Sequence, residues 1–241
     1  MNQPMAPDSW LAHSPLLSNE RLFAVLGSTS DAGPRSAWKS MAAGAPLQSI
    51  WAGTAYAGWD EVMPCVGVVE PGSAFLEWVA TTQATDWGWL AVSSSPLETV
   101  IAHLQGLTKV YLPDDQEVFL RFWDGAQFLP IMQQLGDEAG QVLPVFTRYL
   151  VNAHALTVKT GTVAAAKASP WWKVPAPVLE YLAGQSPQTL IDNLLQGLQE
   201  QRPDLYAAFA LATLQHKVGY FVRSAPISHE ALADCLASEL D

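Results

Sequence analysis

Basic residues are scarce in this chain. Twelve lysines and arginines stand against 23 aspartates and glutamates, for a formal net charge of −11 and a pI of about 4.7. A general grip on nucleic acid needs clustered cations to neutralise phosphates, and twelve scattered ones exclude that class. An acidic surface suits a soluble protein that meets a basic partner. Cysteine is rarer still. Cys65 and Cys235 lie far apart, so they build no secreted disulfide framework and offer no metal-ligand spacing. Cys65 falls in an apolar run and reads as a small core residue. No apolar run reaches the length of about eighteen residues that a membrane span requires. The opening MNQPMAPDSWLAHSPLL lacks the basic region and apolar run of a signal peptide, so the expected location is the cytoplasm.

Other absences bear on chemistry. There is no Gly-x-Ser-x-Gly, no phosphate-cradling glycine loop and no dinucleotide fingerprint. The histidines His13, His103, His154, His216 and His229 never pair at three- or four-residue spacing, and His229-Glu230 lacks the second histidine of a zinc helix. Neither metal nor cofactor is expected.

What is present is apolar mass: 49% hydrophobic residues, ten of them tryptophan, in 241 residues, enough for a substantial core. Residues 1–18 carry prolines without periodicity and read as a tail or docking arm. Short apolar strands follow at 22–26, 49–53, 62–69 and 87–92. They are interleaved with helices over 35–41, from Phe75, and from Ser95-Pro96-Leu97-Glu98, where serine, proline and glutamate spell a capped start. From about 137 the character changes. Ser169 to Pro177 is a proline-rich linker holding Trp171 and Trp172. Ser186-Pro187 opens a helix with Leu190, Ile191, Leu194, Leu195 and Leu198 at the 3.6 period. Pro203 opens another that carries Leu205, Phe209 and Leu211 to Leu214 inward, and Ser228 caps a last one. The expected fold is α/β, a mixed sheet covered by helices, with a C-terminal all-helical lobe. The expected divisions are a tail over 1–18, an α/β domain over 19–150, and a helical lobe over 151–241 with its linker at 169–177.

The most informative stretch is Thr108 to Met132. A short strand breaks at Pro113-Asp114-Asp115, and a second strand is expected over Glu117 to Trp123. Val118, Leu120 and Phe122 point one way along it, Phe119, Arg121 and Trp123 the other, so it reads as an inner strand covered on both sides. Arg121 then needs a partner. Asp124 either pairs with it or caps the following helix.

Two further features compete for a role. Ser36-Ala37-Trp38-Lys39 and Lys159-Thr160-Gly161 imitate two strings of serine β-lactamases. Ser36 would be the nucleophile, Lys39 the base and Lys159 its neighbour, but the Ser/Tyr-x-Asn element that belongs between them is missing. Trp171 and Trp172, flanked by prolines, are candidate anchors for a partner, although packing across the lobe boundary would explain them as well.

The string Arg121-Phe122-Trp123-Asp124 before Phe128-Leu129-Pro130-Ile131, preceded by a helix ending in His103-Leu104-Gln105-Gly106-Leu107, resembles the effector adaptor-chaperones of bacterial type VI secretion (the domain-of-unknown-function 4123 family). LFAVLG (22–27), SIWAGT (49–54), VMPCVGVV (62–69), FLEWV (75–79) and WGWLAVSS (87–94) follow the same order. The resemblance covers roughly residues 20–150. It departs at Gly125, where the family often has proline, and at Gly27-Ser28, where it often has an acidic residue. The resemblance implies a non-enzymatic cytoplasmic protein of Gram-negative bacteria. Such a protein binds a cognate effector toxin and loads it onto the valine-glycine-repeat (VgrG-type) spike, without nucleic acid or membrane partners. An immunity protein that sequesters a toxin, or a serine hydrolase built on Ser36, would be the alternatives.

Overall fold

Along β1 (Arg21–Leu26) successive side chains take opposite sides of a sheet, as the pleat demands. The computed structural model describes residues 4–42, 44–185, 187–224 and 228–239. Leu22, Ala24 and Leu26 join one core with Trp38, Phe75, Leu90, Val92 and Leu150. Phe23 turns the other way, edge-on to Phe146 at 5.9 Å. On that second side Trp89 stacks on Phe128 at 4.8 Å and meets Tyr149 at 5.7 Å. With apolar residues on both faces, the central strands are buried along their length apart from the exposed Arg21.

The elements run in order as α1 (Pro7–His13), β1, α2 (Pro34–Met41), β2 (Leu47–Ser49), β3 (Cys65–Val68), α3 (Ala74–Thr81), β4 (Gly88–Ser93) and α4 (Leu97–Gly106). Then come β5 (Lys109–Tyr111), β6 (Glu117–Phe119), α5 (Gly125–Leu135), α6 (Ala139–Val142), β7 (Arg148–Val151) and β8 (His154–Thr157). The last are α7 (Ala176–Gln185), α8 (Pro187–Gln201), α9 (Pro203–Ala208), α10 (Leu211–Ser224) and α11 (His229–Ala237). Six strands form one sheet in the order β2-β3-β1-β4-β7-β8, and β5 and β6 make a separate pair. Each neighbouring pair within the large sheet is antiparallel. The α/β class with C-terminal helices is therefore the observed one.

Two compact units result: Met1–Val110 with Phe119–Trp172, and Tyr111–Val118 with Lys173–Asp241. The division expected at 150/151 falls instead at Trp172/Lys173, because β7 and β8 form a hairpin on the sheet, with Leu150 opposite Ala155. The tip of the β5–β6 hairpin belongs to the second unit, where Tyr111 bridges Lys173 and Asp115 accepts from Lys173 Nζ at 2.7 Å.

The N-terminal arm is not a loose tail over its described part. Trp10 of α1 is 4% exposed, and Arg148 holds the chain behind it by donating to the carbonyls of Ser14 and Pro15 and to Glu20. Burying that guanidinium is tolerable because its charge is paired at 3.1 Å. At α4 the expected cap does not form. Pro96 occupies the N-cap position without a side-chain bond, and the Ser95 N–H donates to Ser93 Oγ at 3.0 Å. Trp51, expected in a strand, lies in a turn after β2.

In the second unit Ile191, Leu194, Leu195 and Leu198 of α8 pack with Leu205, Leu214, Val218, Phe221 and Leu232. Ser228 caps α11 by accepting from Ala231 N–H at 3.1 Å. Ser186, expected to open α8, and the side chain of Leu190 lie outside the described residues. The single helix expected from Pro203 breaks, because Phe209 takes an extended backbone between α9 and α10.

Candidate functional site

The Arg121–Asp124 segment is a turn, not the end of an inner strand. β6 stops at Phe119, and its described side chains are only partly covered. Arg121 thus escapes the burial that the strand reading imposed, with its side chain 45% exposed. Both roles weighed for Asp124 occur together. Its carboxylate accepts from the N–H groups of Ala126 (2.9 Å) and Gln127 (3.4 Å) at the start of α5, and lies 2.9 Å from Arg121 Nη2. Asp124 itself is 3% exposed, and burial raises its carboxyl above the ordinary range; Arg121 and the two backbone donors pull it back.

The turn is pinned from below. Trp89 Nε1 donates to Phe122 O at 2.6 Å, and Trp123 packs edge-on to Trp51 at 5.2 Å. Gly125 is required by close approach: a Cβ there would stand 2.6 Å from Gly88 O and 2.7 Å from Thr85 O. The backbone of Gly88 and Thr85 therefore leaves no room for a side chain at this position. The segment holds structure together and leaves only the Arg121 head toward solvent.

Trp171 and Trp172 are both half-buried. The Trp171 ring lies under Lys167 Nζ at 4.2 Å. It also packs on the end of α4, where a Cβ on Gly106 would meet Trp171 Nε1 at 3.3 Å. Ser36 and Lys39 sit exposed on α2, whereas Lys159, 82% exposed, follows β8 and pairs with Asp137 at 2.9 Å. Among the described residues no group of three or more His, Cys, Asp or Glu is placed to hold a metal ion, and no helix is long and apolar enough to cross a membrane.

Sequence reasoning missed one feature. Tyr56, Trp59 and Phe119 gather around the buried Trp51, with centroids 5.7, 6.1 and 6.2 Å from it. Trp59 is 47% exposed beside exposed Val62, and the Trp51 Nε1–H donates to Thr108 Oγ1 at 3.0 Å. Trp59 stands among turns, where no periodicity assigns a side chain to core or surface. The clue in the sequence was only the density of aromatics around 51–59.

Residues 22–141 match the family model described as Domain of unknown function (DUF4123), and the match supports membership of that family. The matched span holds the first four strands of the sheet, α4 and the Arg121–Asp124 turn, and leaves out β7, β8 and all of α7–α11. No curated protein and no solved structure matches the chain significantly.

Proposed function

We propose that the protein is a non-enzymatic adaptor-chaperone that binds a cognate type VI effector toxin in the cytoplasm and delivers it to the valine-glycine-repeat (VgrG-type) spike. The observation that carries this reading is the family match over 22–141, which spans the ordered motifs through which the chain resembles those adaptors. The geometry agrees in kind. The motif's polar residues serve a cap and an ion pair, and the surface of the α/β unit presents Trp59 with partly covered Tyr56 and Phe119. Exposed aromatics of this kind anchor protein interfaces more often than other residues do.

The test is genetic and biochemical. Deleting the gene abolishes export of the effector encoded beside it, and the tagged protein co-purifies with that effector and with the spike. Export that continues in the deletion strain, with cells poisoned by their own toxin, identifies an immunity protein and overturns the proposal. Labelling by a fluorophosphonate probe that Ser36→Ala abolishes overturns it in favour of a hydrolase.

A further inference from the structure

We propose that the helical unit carries a docking groove for a basic amphipathic helix. This rests on the adaptor function above and adds the chemistry of what is held. Helices α8, α9 and α10 leave an open cleft of about 800 Å³. Its floor is Leu195, buried in the leucine core, and Tyr206, partly covered against the same core. Gln196, Gln199 and Gln215 line its walls. Leu211 stands in it 53% exposed. The helical period from Pro203 directs Leu211 inward, but the extended backbone at Phe209 resets the phase and turns it out as the first residue of α10.

Charge identifies the occupant. The unit of Tyr111–Val118 and Lys173–Asp241 contains eleven acidic residues against four basic ones, whereas the larger α/β unit has twelve against eight. Three of the four basic residues are already engaged by carboxylates of their own unit: Lys173 with Asp115, Arg202 with Asp204, and Lys217 with Glu239. Asp192 lines the cleft, and among the described residues no lysine or arginine does. A cleft that sets Leu195, Tyr206 and Leu211 among amides and Asp192, in a negative field, complements a helix with leucine-type anchors on one face and lysines or arginines on the other. A strand fits worse, since the three surrounding helices satisfy their backbones internally and offer no ladder to extend. Nucleic acid and anionic lipid are repelled by the same field.

Fluorescence anisotropy of the full chain tests this with labelled synthetic helices of identical leucine spacing, one with lysines and one with glutamates on the polar face, and a scrambled lysine peptide. The lysine helix binds, more weakly as salt is added, and the other two do not. Leu211→Ser weakens it about tenfold, as loss of an interface anchor does. Tyr220→Ser, at a position 68% exposed on the opposite face of α10, leaves it unchanged. Equal binding of the glutamate helix or of the scrambled peptide overturns the proposal, as does an effect of Tyr220→Ser equal to that of Leu211→Ser. So does binding that Leu211→Ser leaves intact. Since the probe is synthetic, failure here removes the groove and leaves the export experiment to judge the adaptor function separately.

Discussion

The two units reach stability by different means. All ten tryptophans lie in the α/β unit, where interlocked rings and indole N–H donors hold strand to turn. The helical unit has none, and its core is chiefly leucine and valine with Phe221. Large rigid rings with a polar handle lock one arrangement and make substitution costly. Leucine helices tolerate exchange among similar volumes. The family match covers much of the first unit and only Tyr111–Val118 of the second. The contrast is between a unit locked by interlocked rings and a more acidic unit packed from aliphatic side chains.

The largest test strikes the ring network. Trp89→Ala removes a fully buried indole stacked on Phe128 and bonded to Phe122 O, and costs about 3–5 kcal/mol by urea denaturation. Tryptophan fluorescence reads the α/β unit alone while far-UV circular dichroism reads both, so a shift by fluorescence larger than the shift by dichroism keeps the units distinct. Coincident shifts mean that the two units unfold together.

Gly197→Ala probes the other side. Alanine ordinarily favours a helix over glycine by about 1 kcal/mol. Here its Cβ would lie 2.2 Å from Nε2 of the buried His229 ring, so the clash outweighs propensity and the change costs about 1–3 kcal/mol. The loss appears by dichroism and hardly by tryptophan fluorescence; increased stability refutes the close packing of α11 on α8.

Asp124→Ala removes a cap and an ion pair and costs about 1 kcal/mol, whereas Asp124→Asn keeps a capping oxygen and costs less. A carboxyl whose folded-state pKa lies above its unfolded value favours folding when protonated. That contribution is complete below the unfolded value and is lost as pH rises through the folded one. Burial raises Asp124 in this way. Denaturation of both proteins across the carboxylate range therefore shows the native protein losing ground to Asp124→Asn as pH rises; a gap moving the other way means the Arg121 pair outweighs burial.

The smallest effect is expected at Leu211→Ser, within about 0.5 kcal/mol by thermal denaturation, as for an exposed position. A loss of several times that size places Leu211 in the core and closes the proposed groove.

Much of the sheet was legible because strands such as Leu22–Leu26 and Trp87–Val92 are continuous apolar runs bounded by glycine or polar residues. The strand expected over Glu117–Trp123 was not. β-branched and aromatic residues favour extended backbone locally, but at Arg121–Asp124 the cap on α5 and the Trp89 bond to Phe122 O favoured a turn. For the site, the partners Arg121 and Asp124 were readable from proximity in the chain. The aromatic patch around Trp59 was not, since Phe119 reaches it from a distant segment.

Local pattern alone determined the central apolar strands, the α/β character and the leucine face of α8, since each depends on residues a few positions apart, and composition alone set the acidic balance. Tertiary structure decided which charges are buried, which glycines are obligatory and which tryptophan faces water. Those outcomes depend on atoms brought within a few ångströms from far along the chain. Arg148 on Ser14 and Glu20, Gly125 under the carbonyls of Thr85 and Gly88, and Gly197 against His229 are contacts that no spacing in the sequence encodes.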